Sequence, residues 1–87
     1  MNQEVYAQVV DTLFRRHYGI SINDTLLSEE RYLRECMEHG QKPYEAVNEV
    51  ANKWDLDRID GRYGERRRPL TPNDERAAMP AHAAITS

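Results

Sequence analysis

Cys36, His17 and His39 are the residues from which this sequence could assemble a nucleophile or a metal site. A cysteine nucleophile needs a base beside it, held in place by a third group. The stretch Arg34-Glu35-Cys36-Met37-Glu38 carries no nucleophile signature, so Cys36 reads as a small apolar residue on a helix face. The two histidines lack the one-turn spacing of a helical metal site. One cysteine excludes both an internal disulfide and the two-cysteine zinc patterns. Gly61 and Gly64 lack the strand-then-helix context of a phosphate loop. No catalytic residue, metal or cofactor is assigned.

Binding chemistry is better represented. Arg62, Arg66, Arg67 and Arg68 form a basic run interleaved with Tyr63, Gly64 and Glu65. Such a run can contact nucleic-acid phosphates and stack on bases. It can equally dock on an acidic protein surface, or be a solvated linker. His17 and Tyr18, beside Gly19, form either a recognition patch or the covered end of a helix. Asn23 and Asp24 offer polar contacts, or simply a turn and a cap. A helix-turn-helix over residues 29–54 would place Glu45 and Glu49 where a DNA reader needs Arg, Lys, Asn or Gln.

The charge points the same way. The net charge is −3, with 6 basic and 11 acidic side chains in residues 1–57 and 6 basic and 4 acidic in residues 58–87. Phosphate-coating proteins need dense Lys and Arg, so nucleic acid is not the favoured partner. No apolar run approaches the roughly 20 residues that span a bilayer. The start, Met-Asn-Gln-Glu-Val-Tyr, lacks a basic-then-apolar leader, and the expected location is cytoplasmic, away from membranes.

The elements that would position these residues are helical. Val5, Tyr6, Val9, Val10, Leu13 and Phe14 recur on one helix face, predicting a helix over Gln3–His17 that Gly19 terminates. Ile20-Ser21-Ile22 alternates and predicts a short extended piece. Either Asp24 or Ser28 would cap the next helix, with Ser28 favoured by Glu29 and Glu30 behind it. That helix is expected over Glu29–His39, with Tyr32, Leu33, Cys36 and Met37 inward and Gly40 at its end. Pro43 suits the first position of a third helix, Pro43–Trp54, and Trp54 is expected to close the core. The connection at 40–42 predicts a helical hairpin or a sharp turn.

Leu56 and Ile59 could form a second strand pairing with Ile20–Ile22. Thr71-Pro72-Asn73-Asp74 could start one helical turn through Met79, with Thr71 as cap. The fold expected is mainly α. It is a small three-helix domain (1–60) with a minor two-stranded β element (20–22 with 56–59) and a disordered Arg/Pro-rich tail (61–87).

In this order and spacing, His17-Tyr18-Gly19, Asn23-Asp24-Thr25, Glu30-Arg31, Glu38, Gly40, Ala46-Val47-Asn48, and Arg58 with Asp60 resemble the CbtA/YeeV/YkfI family. These are toxins of bacterial toxin–antitoxin modules. The likeness covers about residues 5–60. It implies a protein that is not an enzyme and that binds FtsZ and MreB, blocking their polymerisation. The partner antitoxin stabilises the filaments. On this likeness Arg15 belongs to a target-binding surface. Family members continue beyond the matching part with further strand and helix. Here the Arg- and Pro-rich tail follows Asp60 instead.

The candidate partner-binding residues are therefore Arg15, His17, Tyr18, Asn23, Asp24, Arg62, Arg66, Arg67 and Arg68. The competing reading is a small regulatory or adaptor protein of plasmid or phage origin. It would bind a protein or nucleic acid through the helical face and the arginine run.

Overall fold

The computed structural model describes residues 2–59 and 68–79. Asn2 opens the first helix by accepting a hydrogen bond from the Val5 N–H at 2.8 Å. This helix, α1, runs Gln3–Tyr18 and stops at Gly19, which sits in the left-handed region at φ 69°. Its apolar face is sealed: Val9, Val10, Leu13 and Phe14 have no exposure and Tyr6 almost none. The other helices, α2 (Glu30–Glu38), α3 (Pro43–Lys53) and α4 (Pro72–Ala78), all pack on α1. A chain this short has one small core, and α1 is its axis.

The extended piece expected at Ile20–Ile22 is replaced by two 3-10 turns, Ile22–Asp24 and Leu26–Ser28. The Ser21 side chain accepts from Asn23 N–H, and Asp24 accepts from Ser21 N–H, closing the first turn on itself. The Ile22 N–H is taken by Asp11 of α1 at 2.9 Å, so it cannot join a ladder. The alternating isoleucines are partly buried against the core, but they form no strand. Thr25 starts the second turn by accepting from Leu27 N–H. The expected Ser28 cap is also corrected. The residue before α2 is Glu29, which makes no side-chain cap bond, because Ser28 turns back to the Thr25 carbonyl.

Leu33 and Cys36 are the buried residues of α2. Gly40, at φ 71°, ends it, with Gln41 N–H returning to the Cys36 carbonyl. Pro43 occupies the first turn of α3, and Glu45 accepts from the Lys42 N–H before it. Helices α2 and α3 thus meet at a sharp turn.

Trp54 does not close the core. Helix α3 ends at Lys53, Trp54 is the cap residue, and its side chain is 41% exposed. Asp55 then takes φ 53° and Leu56 N–H bonds back to the Ala51 carbonyl, a left-handed helix stop that turns the chain directly after Trp54. The expected strand at 56–59 is also absent. Ile59 N–H makes one bond, to the His17 carbonyl at the end of α1, and no strand exists among the described residues.

The tail expected after residue 60 divides. Residues 60–67 and 80–87 lie outside the described residues. Residues 68–79 lie against the core, with Leu70 and Ala78 buried in it. The capped turn read from Thr71-Pro72-Asn73-Asp74 is α4, with Thr71 and Asp74 closing a reciprocal cap. The architecture is therefore mainly α, with four helices among the described residues. None of these helices is long and apolar enough to cross a membrane.

Candidate partner-binding surface

Arg15, Asn23 and Asp24 are brought together by a residue the sequence did not single out, Asp11. One carboxylate oxygen of Asp11 accepts from the Ile22 N–H and the other from Arg15 Nε, each at 2.9 Å. Helical spacing puts Asp11 and Arg15 one turn apart on the outer face of α1. The 3-10 turn carrying Asn23 and Asp24 is therefore pinned beside Arg15, and all three side chains are exposed. The signal that could have found Asp11 is its position four residues before an arginine, ahead of a turn with open N–H groups.

His17 and Tyr18 are placed differently. Both are buried, at 6% and 8% exposure. Tyr18 packs against Phe14 with ring centroids 6.2 Å apart. Nδ1 of His17 lies 3.2 Å from an Arg58 nitrogen. A guanidinium has only donors, so Nδ1 is the acceptor in this contact. Arg58 donates its other terminal nitrogen to the Arg68 carbonyl at 3.2 Å. The Arg68 side chain is exposed, while Arg62, Arg66 and Arg67 lie outside the described residues. The candidate residues thus fall into an outer rim (Arg15, Asn23, Asp24) and a buried junction (His17, Tyr18) joined to Arg68 through Arg58.

Cys36 and His39 line a cleft of about 440 Å³ between α2 and α3, together with Tyr32, Glu35, Glu45 and Glu49. Burial pushes the Cys36 thiol above its ordinary range, and Glu49 and Glu35 push it further. A nucleophilic cysteine needs the opposite setting, one that favours thiolate. Among the described residues no group of three or more His, Cys, Asp or Glu is placed to hold a metal. What the arrangement offers is contact: an exposed cation and two polar side chains held in fixed relation on a helical frame.

Comparison with known proteins gives the frame its relatives. Residues 4–76 match the family model described as CbtA toxin of type IV toxin–antitoxin system. The chain belongs to the CbtA toxin family. The match runs past the residue-60 limit expected from the sequence and takes in most of α4. Among CbtA relatives, the "Cytoskeleton-binding toxin CbtA" of Escherichia coli K12 is 33% identical over 57 residues, which are 66% of this chain and 46% of that protein. The "Toxin CbtA" of Escherichia coli O6:H1 strain CFT073 matches to the same extent. The chain thus aligns with about half the length of these CbtA proteins. No solved structure matches it.

Proposed function

We propose that this chain is a non-enzymatic toxin of the CbtA type that inhibits the bacterial cytoskeleton by binding its subunits, FtsZ or MreB. Membership of the family over residues 4–76 carries the reading, and the name of the K12 relative supplies the class of partner. The exposed rim of Arg15, Asn23 and Asp24 supports it as the contact surface, because one carboxylate, Asp11, holds both the Arg15 side chain and the backbone of the turn that carries the other two. Blocking polymerisation needs only occupation of a subunit face, which a rigid small domain can do without bond-making.

Induced expression is expected to give rounded or lens-shaped cells, and a tagged chain should recover FtsZ or MreB. Normal growth and shape at high expression, with neither protein recovered, overturns the proposal.

A further inference from the structure

Helix α2 carries its charges against the order its own dipole favours. Carboxylates stabilise a helix at its N-terminus and cations at its C-terminus. Helices α1, α3 and α4 obey, with acidic side chains in the first turn and basic ones in the last. In α2 only Glu30 fits; Arg31 stands beside it at the N-terminal end, and the last turn ends in Glu38 with no basic residue. Arg31 and Glu35, and Arg34 and Glu38, are one turn apart but with the cation first, the weaker orientation. Neither couple forms an ion pair; the one pair within α2 is Glu30 with Arg34, at 3.3 Å. Arg31, Arg34, Glu35 and Glu38 follow the i, i+3, i+4, i+7 spacing and make one exposed stripe, opposite the buried Leu33 and Cys36. The stripe is self-complementary about the point between Arg34 and Glu35. An antiparallel copy sets Arg34 against Glu35 and Arg31 against Glu38, each twice.

We propose that the outer face of α2 docks a second copy of this chain, antiparallel, about a two-fold axis between Arg34 and Glu35. The second copy brings a carboxylate to Arg31 at the N-terminal end of α2 and a guanidinium to Glu38 at the C-terminal end, which is the order the dipole favours. Its Arg34 arrives opposite Glu35, which lines the cleft shared with Tyr32, Glu45 and Glu49. A cation there meets the field of Glu35 and Glu49 that already raises the Cys36 thiol. A two-fold contact uses the same patch on both copies, so it closes at two and does not grow into a filament. One nine-residue helix per copy gives a small, polar contact of the weak, reversible class. This inference does not depend on the cytoskeletal reading.

Sedimentation equilibrium of the full chain in low salt should show monomer and dimer in reversible exchange, with no larger species. Raising salt from about 0.01 to about 1 M shortens the Debye length from about 30 to about 3 Å and should weaken the dimer at least about tenfold. Two double variants test the face itself. Arg31→Glu with Arg34→Glu makes the stripe wholly acidic, and Glu35→Arg with Glu38→Arg makes it wholly basic. Each should be monomeric where the parent pairs, and the two mixed should form a one-to-one heterodimer. The chain with all four changes is complementary again and should recover the dimer. All four positions are exposed, and far-UV circular dichroism should show the parent's helix content throughout. A parent still monomeric at about 1 mM in low salt would overturn the proposal. So would a dimer indifferent to both reversals, a mixture that stays monomeric, or a four-change chain that does not pair.

Discussion

Asp11 makes two contacts whose energetic worth is separable. Its bond to the half-buried Ile22 N–H replaces water that cannot easily return, whereas its pair with Arg15 is solvent-exposed. An orphaned donor costs about 1–3 kcal/mol, and an exposed ion pair contributes under about 1 kcal/mol. Asp11→Ala should therefore lower stability by about 1–2 kcal/mol in urea unfolding. Arg15→Ala should stay within about 0.5 kcal/mol of the parent while weakening target binding. If Arg15→Ala binds FtsZ and MreB as the parent does, the outer rim is not the contact surface.

Tyr6 makes a second prediction at this scale. Its hydroxyl donates to the Gln41 carbonyl at 2.8 Å, and burial raises its pKa, with Cys36, Glu75, Glu45 and Glu49 adding to the rise. The folded pKa lies above the unfolded value of 10.0, so the protonated form is favoured by folding. That contribution is complete below pH 10 and is lost as pH rises from there toward the folded pKa. Cys36, also raised by burial first, adds a similar loss starting near its ordinary 9.0. Thermal melts should fall along this alkaline limb, and Tyr6→Phe should make the limb shallower. An unchanged slope would show that Tyr6 titrates alike folded and unfolded.

Among the elements, those with local signals were legible. Helix α1 was readable because its apolar residues, its arginines in the last turn and Gly19 all agree, and Pro43 marked α3 in the same way. The rest depended on partners distant in sequence. Leu70 is a lone apolar residue between Pro69 and Thr71, and only Asn48, far back in α3, reveals that it is a core anchor. Trp54 is in phase with Val47, Val50 and Ala51, but the helix stops one residue before it, and phase says nothing past a helix end. The rim was half legible. Arg15, Asn23 and Asp24 could be named, but the bond from Ile22 N–H to Asp11 that ties their turn to α1 depended on the turn at 21–24, which the alternating isoleucines disguised as a strand.

The two glycine stops give a comparison at the element scale. Gly40 and Gly19 share the left-handed conformation, but a Cβ at Gly40 meets nothing within 4 Å, whereas at Gly19 it meets Ile59 Cδ1 at 3.2 Å. Gly40→Ala should cost about 1 kcal/mol from backbone strain alone. Gly19→Ala should cost the same plus a few tenths for moving the exposed Ile59 side chain, about 1–1.5 kcal/mol in all. A Gly19→Ala cost no larger than that of Gly40→Ala in chemical melts would show that Ile59 does not rest on the end of α1.

At the scale of the whole molecule, one helix is shared by everything else. Residues from α2, α3, α4 and the first 3-10 turn meet on α1, and the described residues share one core, so the frame depends on this axis. Leu13 has no exposure, and truncating such a leucine to alanine costs about 2–5 kcal/mol. That is comparable to the total stability of a domain this small. Leu13→Ala should therefore be largely unfolded at 37 °C by far-UV circular dichroism, and retention of a cooperative melt near that of the parent would contradict the central place given to α1.

The half-exposed cap of α3 has a practical corollary. The sequence contains one tryptophan, and its indole already meets water in the native fold. Its emission will consequently change little when the interior around Leu13 and Phe14 melts. A ligand covering that corner would dry the ring and move its emission to shorter wavelength. Intrinsic fluorescence is thus a poor thermometer for this protein but a built-in detector of whatever settles on that corner.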